Sequence, residues 1–233
     1  MRVVRPDPQS VPDALALSLR MLAEGDCPAL VVHRVSPPAI TCGRAQMTTV
    51  DTDAITASGL TLVPRGSGGG PVLWDDALIA IDVILPDGDL RLPTDIVAAY
   101  RWVGEAVVSA LTDLGIPGAR AVPPDEARAW PPSESSGLCF GGLSPWEVVV
   151  GHRKVLGLAQ VRKQAGAIIQ VGVPMRLNAT RLAAAVGAPD GAADDLRART
   201  AGVADLAPEC TRDMASEALV HALSTPAAAS GRL

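Results

Sequence analysis

The sequence predicts a single α/β domain of the α+β kind, with a mixed or antiparallel central sheet flanked by helices. Three observations predict it. Strand-like and helix-like segments alternate, but without the regular β-α-β rhythm of a doubly wound parallel sheet. Apolar residues fill 48% of the 233 positions while aromatics fill 3%, so the core must be aliphatic, built from Val, Leu, Ile and Ala. No linker divides residues 37–200, and there is no internal repeat. The expected domain is 1–224, followed by a disordered tail at 225–233.

The elements follow in order. Ser10 is placed to cap a helix over 13–24, with Pro12 in the first turn, Asp13 at the positive end of the dipole and Gly25 as the stop. Residues 29–35 read as a strand, Pro37-Pro38 as a break, and 39–42 as a short strand. Asp51 caps a short helix that ends at Gly59. A strand at 60–63 runs into Arg65-Gly-Ser-Gly-Gly-Gly70, and LIAIDVIL at 78–85 is a strong strand. The longest helix is expected over 93–114. Thr94 would be its cap, and Ile96, Val97, Tyr100, Val103, Val107, Val108 and Leu111 would form its apolar stripe. Residues 120–137 are rich in Pro, Ser and charge and read as an exposed, mobile loop. Two strands, 146–150 and 153–160, form a hairpin about Gly151-His152. A strand at 167–173 and helices at 178–187, 192–199 and 213–224 complete the chain.

Composition excludes several functions. The net charge of −5 argues against nucleic-acid binding, which usually brings a basic excess. There is no apolar run of about 18 residues to span a membrane. The polar, Pro-rich N-terminus lacks the apolar region of a signal peptide, so a cytoplasmic location is expected. Cys27, Cys42, Cys139 and Cys210 are scattered, with no CxxC and no Cys/His cluster, which argues against a metal site. Cys27, Cys42 and Cys210 read as structural thiols.

The segment 139–160, CFGGLSPWEVVVGHRKVLGLAQ, carries the chemistry. Only two of the 20 basic residues are Lys, namely Lys154 and Lys163; the other 18 are Arg. An Ala-, Gly-, Arg- and Pro-rich composition suggests that Arg serves wherever a generic cation suffices. A retained Lys then points to a compact charge or a transferable proton. Cys139 lies fifteen residues before Lys154, beside the single Phe, Phe140. A thiol near an amine suggests a nucleophile and its partner. The glycines of Arg65, Gly66, Ser67, Gly68, Gly69 and Gly70 permit close backbone approach to a ligand. No Gly-Lys-Ser/Thr follows, so this is not a Walker A loop, and its spacing is not that of a dinucleotide fingerprint. Arg44 and Arg65 could meet a carboxylate or phosphate. Arg153, Arg162 and Lys163 could face an acidic carrier protein. His152 reads as a turn residue.

These motifs resemble the biotin/lipoate A/B protein ligase family, and within it the Cys-dependent octanoyltransferases. The resemblance spans about residues 10–224. It rests on PPAITCGRAQ (37–46), RGSGGGPVL (65–73), CFGGLSPWEVVV (139–150), RKVLGLAQVRK (153–163) and IIQVG (168–172). The family pattern G-R-K-[IV]-x-G-x-A-Q is matched at Lys154, Gly157, Ala159 and Gln160. The resemblance implies the biotin/lipoyl protein ligase catalytic-domain fold. It also implies a reaction: an octanoyl or lipoyl group moves from an acyl carrier protein to Cys139, then to a lysine of a lipoyl domain or glycine-cleavage H protein. Lys154 would activate the thiol or the amine and offset oxyanion charge. Arg65–Gly70, Gly157, Ala159 and Gln160 would bind the acyl group. No cofactor or metal is implied. The alternative is an ATP-dependent lipoate-protein ligase using ATP and Mg, in which Lys154 holds the acyl-adenylate; a further one is a non-catalytic acyl- or protein-binding homologue. Three positions depart from the family: Trp74 and Val171 stand where His is usual, and Pro71 where Ala is. Two polar groups are therefore expected to be missing from the pocket.

Overall fold

The structure, a computed structural model, describes residues 1–25 and 27–225. Of the expected tail at 225–233, residues 226–233 lie outside the described residues. Arg2–Val4 forms a strand (β1) that sequence patterning missed. Val11–Glu24 (α1) follows Ser10, whose hydroxyl accepts from the Asp13 amide. Gly25 ends α1 for a steric reason: its φ is −86°, but a Cβ would lie 2.3 Å from the Met21 carbonyl oxygen. Ala29–His33 (β2) and Ala39–Gly43 (β3) come next, then a 3₁₀ turn at Arg44–Thr49 and the helix Thr52–Ala57 (α2). The Asp51 carboxylate caps α2 through the Asp53 and Ala54 amides. Thr61–Arg65 (β4) and Val72–Trp74 (β5) flank β3 in a three-stranded sheet of order β4-β3-β5.

Leu78–Pro86 (β6) lies at the centre of the larger sheet. The long helix, Ala98–Asp113 (α3), starts later than expected. The Asp95 carboxylate, not Thr94, takes the Val97 and Ala98 amides, leaving Ile96 and Val97 exposed ahead of the helix. The expected loop at 120–137 is also corrected. Ala119–Ala121 (β7) and Pro124–Arg128 (α4) occupy part of this stretch, and Val122, Ala127 and Ser135 are buried. Elements of three and five residues are too short to show a period.

Val148–Val150 (β8) and Arg153–Lys154 (β9) form the expected hairpin, but the second strand is not continuous. At Val155-Leu156 the chain leaves the small sheet β7-β8-β9 and enters the large one as Gly157–Lys163 (β10). Gly166–Pro174 (β11) follows, then Ala179–Ala185 (α5), Ala192–Arg199 (α6), Val203–Leu206 (α7) and Arg212–Ser224 (α8).

The large sheet has the order β1-β2-β6-β11-β10; β1 and β2 are parallel and every other pair is antiparallel. Its two faces do different work. Ile79, Ile81, Val83 and Leu85 of β6, with Ile169, Val171 and Val173 of β11, pack in one core with Val103, Val107 and Leu111 of α3 and Leu219 of α8. The alternate side chains face the other way, because side chains in a strand alternate. Two rows cross β10, β11 and β6 there: Gly157-Gly172-Ala80 and Ala159-Gln170-Asp82. These rows are the floor of the site.

Candidate active site

A cavity of about 280 Å³ stands on that floor. Trp74, Leu78, Leu138 and Phe140 form apolar walls, and Gly68–Gly70 closes one side. Glycines in the floor row let a loop descend onto it. A Cβ at Gly157 would meet the Phe140 ring at 3.4 Å and the Cys139 Sγ at 3.8 Å. Cys139 therefore sits directly over β10, part-exposed at the cavity wall.

The loop that carries Cys139 is held at several points. The Cys139 amide donates to the Pro71 carbonyl at 3.1 Å. A Cβ at Gly70 would lie 2.1 Å from the Gly137 carbonyl oxygen, and one at Gly141 would lie 1.8 Å from that of Ser135. Ser135 is fully buried, and both its amide and its hydroxyl donate to Asp195. Partial burial opposes ionisation of Asp195, but hydrogen bonds from Ser133, Ser135 and Arg199 outweigh it and hold the carboxyl well below the usual range.

Lys154 reaches the same wall from β9 and is 3% exposed. Its Nζ donates to the carbonyls of Cys139 and Gly142, both at 3.0 Å, and pairs with Glu147 at 2.7 Å. Three acceptors match the three donors of an ammonium. The charge lies 5.4 Å from the centre of the Phe140 ring. Glu147 is equally buried and also accepts from the Ser144 and Leu158 amides. Burial pushes its carboxyl up, and the Lys154 charge opposes this.

A family model for the lipoyl protein ligase A/B catalytic domain matches residues 12–226. The chain belongs to this family. It is 37% identical over 162 residues to a protein of Exiguobacterium sp. strain AT1b named octanoyltransferase LipM, covering 67% of this chain and 58% of that one. For a Staphylococcus aureus protein of the same name the identity is 32% over 159 residues, covering 66% and 56%. The chain thus spans somewhat over half the length of these relatives. Among solved structures, a lipoate-protein ligase A bound with ATP superposes with a TM-score of 0.75 at 23% identity, over 96% of this chain and 83% of that one. The biotin protein ligase of Aquifex aeolicus gives 0.53 at 11%, over 96% and 68%. At those identities the likeness establishes the fold, a mixed α/β one.

Within this lipoyl-ligase-family fold, the predicted site residues divide. Cys139, Lys154, Gly68, Gly69, Gly70, Gly157 and Ala159 all line the cavity. Arg65 lines it too, but its guanidinium is spent: it donates five hydrogen bonds, to the Thr41 carbonyl and hydroxyl and to the Gly68 and Gly70 carbonyls. Arg65 shapes the glycine loop and has no donor left for a phosphate or carboxylate. Gly66 and Ser67 lie off the cavity; a Cβ at Gly66 would face Val161, and the Ser67 hydroxyl donates to Gln170 at 2.5 Å. Gln160 faces away from Cys139, because it sits one residue out of phase with Ala159 on β10. Arg162 is half-buried, and its guanidinium donates to the Pro93 and Thr94 carbonyls.

The expected loss of two polar groups is also revised. The Val171 side chain belongs to the helix-facing core, and its neighbour Gln170 is the one on the cavity floor. Trp74 lines the cavity, and Asp82 supplies a polar group on its floor. Asp82 pairs with buried His33 at 3.1 Å, and His33 meets the Trp74 ring edge-on. Sequence reading missed the roles of Glu147, Asp82 and His33. A lone Glu or Asp inside an apolar strand was the available signal. Cys42 and Cys210 are buried, as structural thiols should be, and burial raises both thiols. Cys27 is exposed instead.

Proposed function

We propose that the chain, as one catalytic domain over residues 1–224, is an acyl-protein transferase of octanoyl or lipoyl groups working through a Cys139 thioester. The observation that carries this reading is the convergence of Cys139 and Lys154 on one largely apolar cavity, with the Lys154 ammonium bonded to the carbonyl of Cys139 itself. The names of the LipM relatives support it.

The chemistry balances without ATP. The Cys139 sulfur attacks the carbonyl carbon of an acyl thioester. A new C–S bond forms, the old one breaks, and the thiol proton leaves with the departing thiol. The ε-amine of a lysine on a lipoyl domain or glycine-cleavage H protein then attacks the Cys139 thioester. An amide forms and the Cys139 thiol is restored. Lys154 contributes a positive charge beside the developing oxyanion, releasing one of its carbonyl acceptors to do so. Glu147 keeps that charge in place. Cys27, Cys42 and Cys210 take no part. The setting proposed is the cytoplasm, where thiols remain reduced, and no metal or cofactor is required. Arg65, whose guanidinium donors are all engaged within the protein, offers no side-chain donor for the nucleotide phosphates that a ligase would hold.

Incubation with octanoyl-carrier protein, read by intact-mass spectrometry, tests this. A single octanoyl adduct is expected, absent in Cys139→Ser. Lipoyl-domain modification that requires ATP and free lipoate, and that survives Cys139→Ala, would establish the ligase reading instead.

A further inference from the structure

A second cavity of about 300 Å³ adjoins the first and shares Gly68, Gly69, Ser144, Leu158 and Ala159 with it. Its outer wall is different in kind: Ile96, Tyr100, Gln160 and Arg162. Three side-chain atoms there, Gln160 Oε1, Gln160 Nε2 and Arg162 Nε, are buried without a hydrogen-bond partner among the described residues. Buried polar atoms in native proteins nearly always have partners. A free carbonyl beside a free N–H₂ is the complement of a ligand amide, which offers one donor and one acceptor. The Tyr100 phenol is pushed up to about 12 by burial, so it stays a donor at neutral pH. The Nη atoms of Arg162 are held by the Thr94, Pro93 and Asp95 carbonyls, and no carboxylate pairs with it among the described residues. That charge disfavours the ammonium of an incoming lysine. It favours a neutral amide chain ending in an anion.

We infer that this annex binds the phosphopantetheine arm of the acyl donor, with its amides on Gln160 and Tyr100 and its phosphate end toward Arg162. The inference rests on the transferase reading above and deepens it. The acyl chain occupies the first cavity, the thioester lies at the shared Gly68–Gly69 and Ser144 boundary, and the leaving arm runs into the second. The free thiol of pantetheine departs through the annex once Cys139 is acylated. The acceptor lysine approaches only after the annex empties.

The test compares two donors of the same octanoyl group, octanoyl-pantetheine and octanoyl-N-acetylcysteamine; the second lacks the outer amide. The rate of Cys139 acylation is read by intact mass. The wild type should prefer the pantetheine thioester by about tenfold, the worth of one or two hydrogen bonds. Gln160→Leu and Tyr100→Phe should each reduce that preference, with thermal melting confirming that the variants fold. Carrier-protein and coenzyme A thioesters should share the Gln160→Leu defect, and the faster of the two names the source of the arm. Equal rates for the two small donors in the wild type would overturn the inference while leaving the transferase reading intact. So would a preference that both variants keep. No Cys139 adduct from any donor would overturn both.

Discussion

At the residue scale the site depends on one buried ion pair. Removing one member of such a pair leaves an uncompensated buried charge, at about 3–5 kcal/mol. Lys154→Met should therefore destabilise the protein by about that much in denaturant titration, and slow Cys139 acylation by about 10²-fold or more, the loss typical of an oxyanion donor. The double variant Lys154→Met, Glu147→Met should regain most of the stability and none of the activity. The pH dependence follows from the Glu147 carboxyl, which burial raises above its ordinary value against the opposing Lys154 charge. A carboxyl with a higher pKa folded than unfolded binds more protons in the folded state, so stability falls as pH rises through the interval between the two values. Without the Lys154 charge that interval widens upward. The melting temperature of Lys154→Met should fall more steeply than that of the wild type as pH rises above the ordinary carboxylate range, and the double variant should lose this slope.

At the scale of elements, the glycine loop and the Cys139 loop are fitted to one another by backbone contact. Gly70 and Gly68 separate that role from mere flexibility. A Cβ at Gly70 would collide with the Gly137 carbonyl, whereas a Cβ at Gly68 would meet nothing within 4 Å. Gly70→Ala should cost about 1–3 kcal/mol as an overpacking change and displace the nucleophile. Gly68→Ala should leave the melting temperature unchanged or slightly higher, since it narrows the unfolded ensemble. Differential scanning calorimetry of the pair decides the matter. The start of α3 makes a similar point. Asp95 lies one residue from the expected cap Thr94, and its carboxylate serves both the Val97 and Ala98 amides. Asp95→Ala should cost about 1 kcal/mol.

At the scale of the whole molecule, the first cavity exists because two sheets and a loop leave a gap over a floor of small residues, Gly157, Gly172 and Ala80. An aliphatic chain there is bound by burial of methylenes, each worth about 0.8 kcal/mol. Donor thioesters shortened from eight carbons to four should acylate Cys139 with kcat/KM lower by about two orders of magnitude. A flat chain-length profile would mean that the cavity is not the acyl site. The two catalytic candidates come from different parts of the architecture. Cys139 rides a loop tied to Pro71, just before β5, while Lys154 lies where the chain passes from the small sheet to the large one.

The sequence alone determined the local elements with strong signals: the Ser10 cap, the Asp51 cap, the buried strands at β6 and β11, and the rarity of Lys that marked Lys154. It also determined the family, through motifs in which single residues carry the pattern. Only the tertiary structure decided which side chains share a space. The sheet-to-sheet crossing at Val155-Leu156 turns Lys154 toward Cys139 and sends Gln160 to a separate annex. Strand phase assigns Gln170, and not Val171, to the cavity floor. The physical reason is that each of these outcomes depends on pairing between residues distant in sequence. Cys139 and Lys154, Asp82 and His33, Arg65 and Thr41 are neighbours only because the fold places them so.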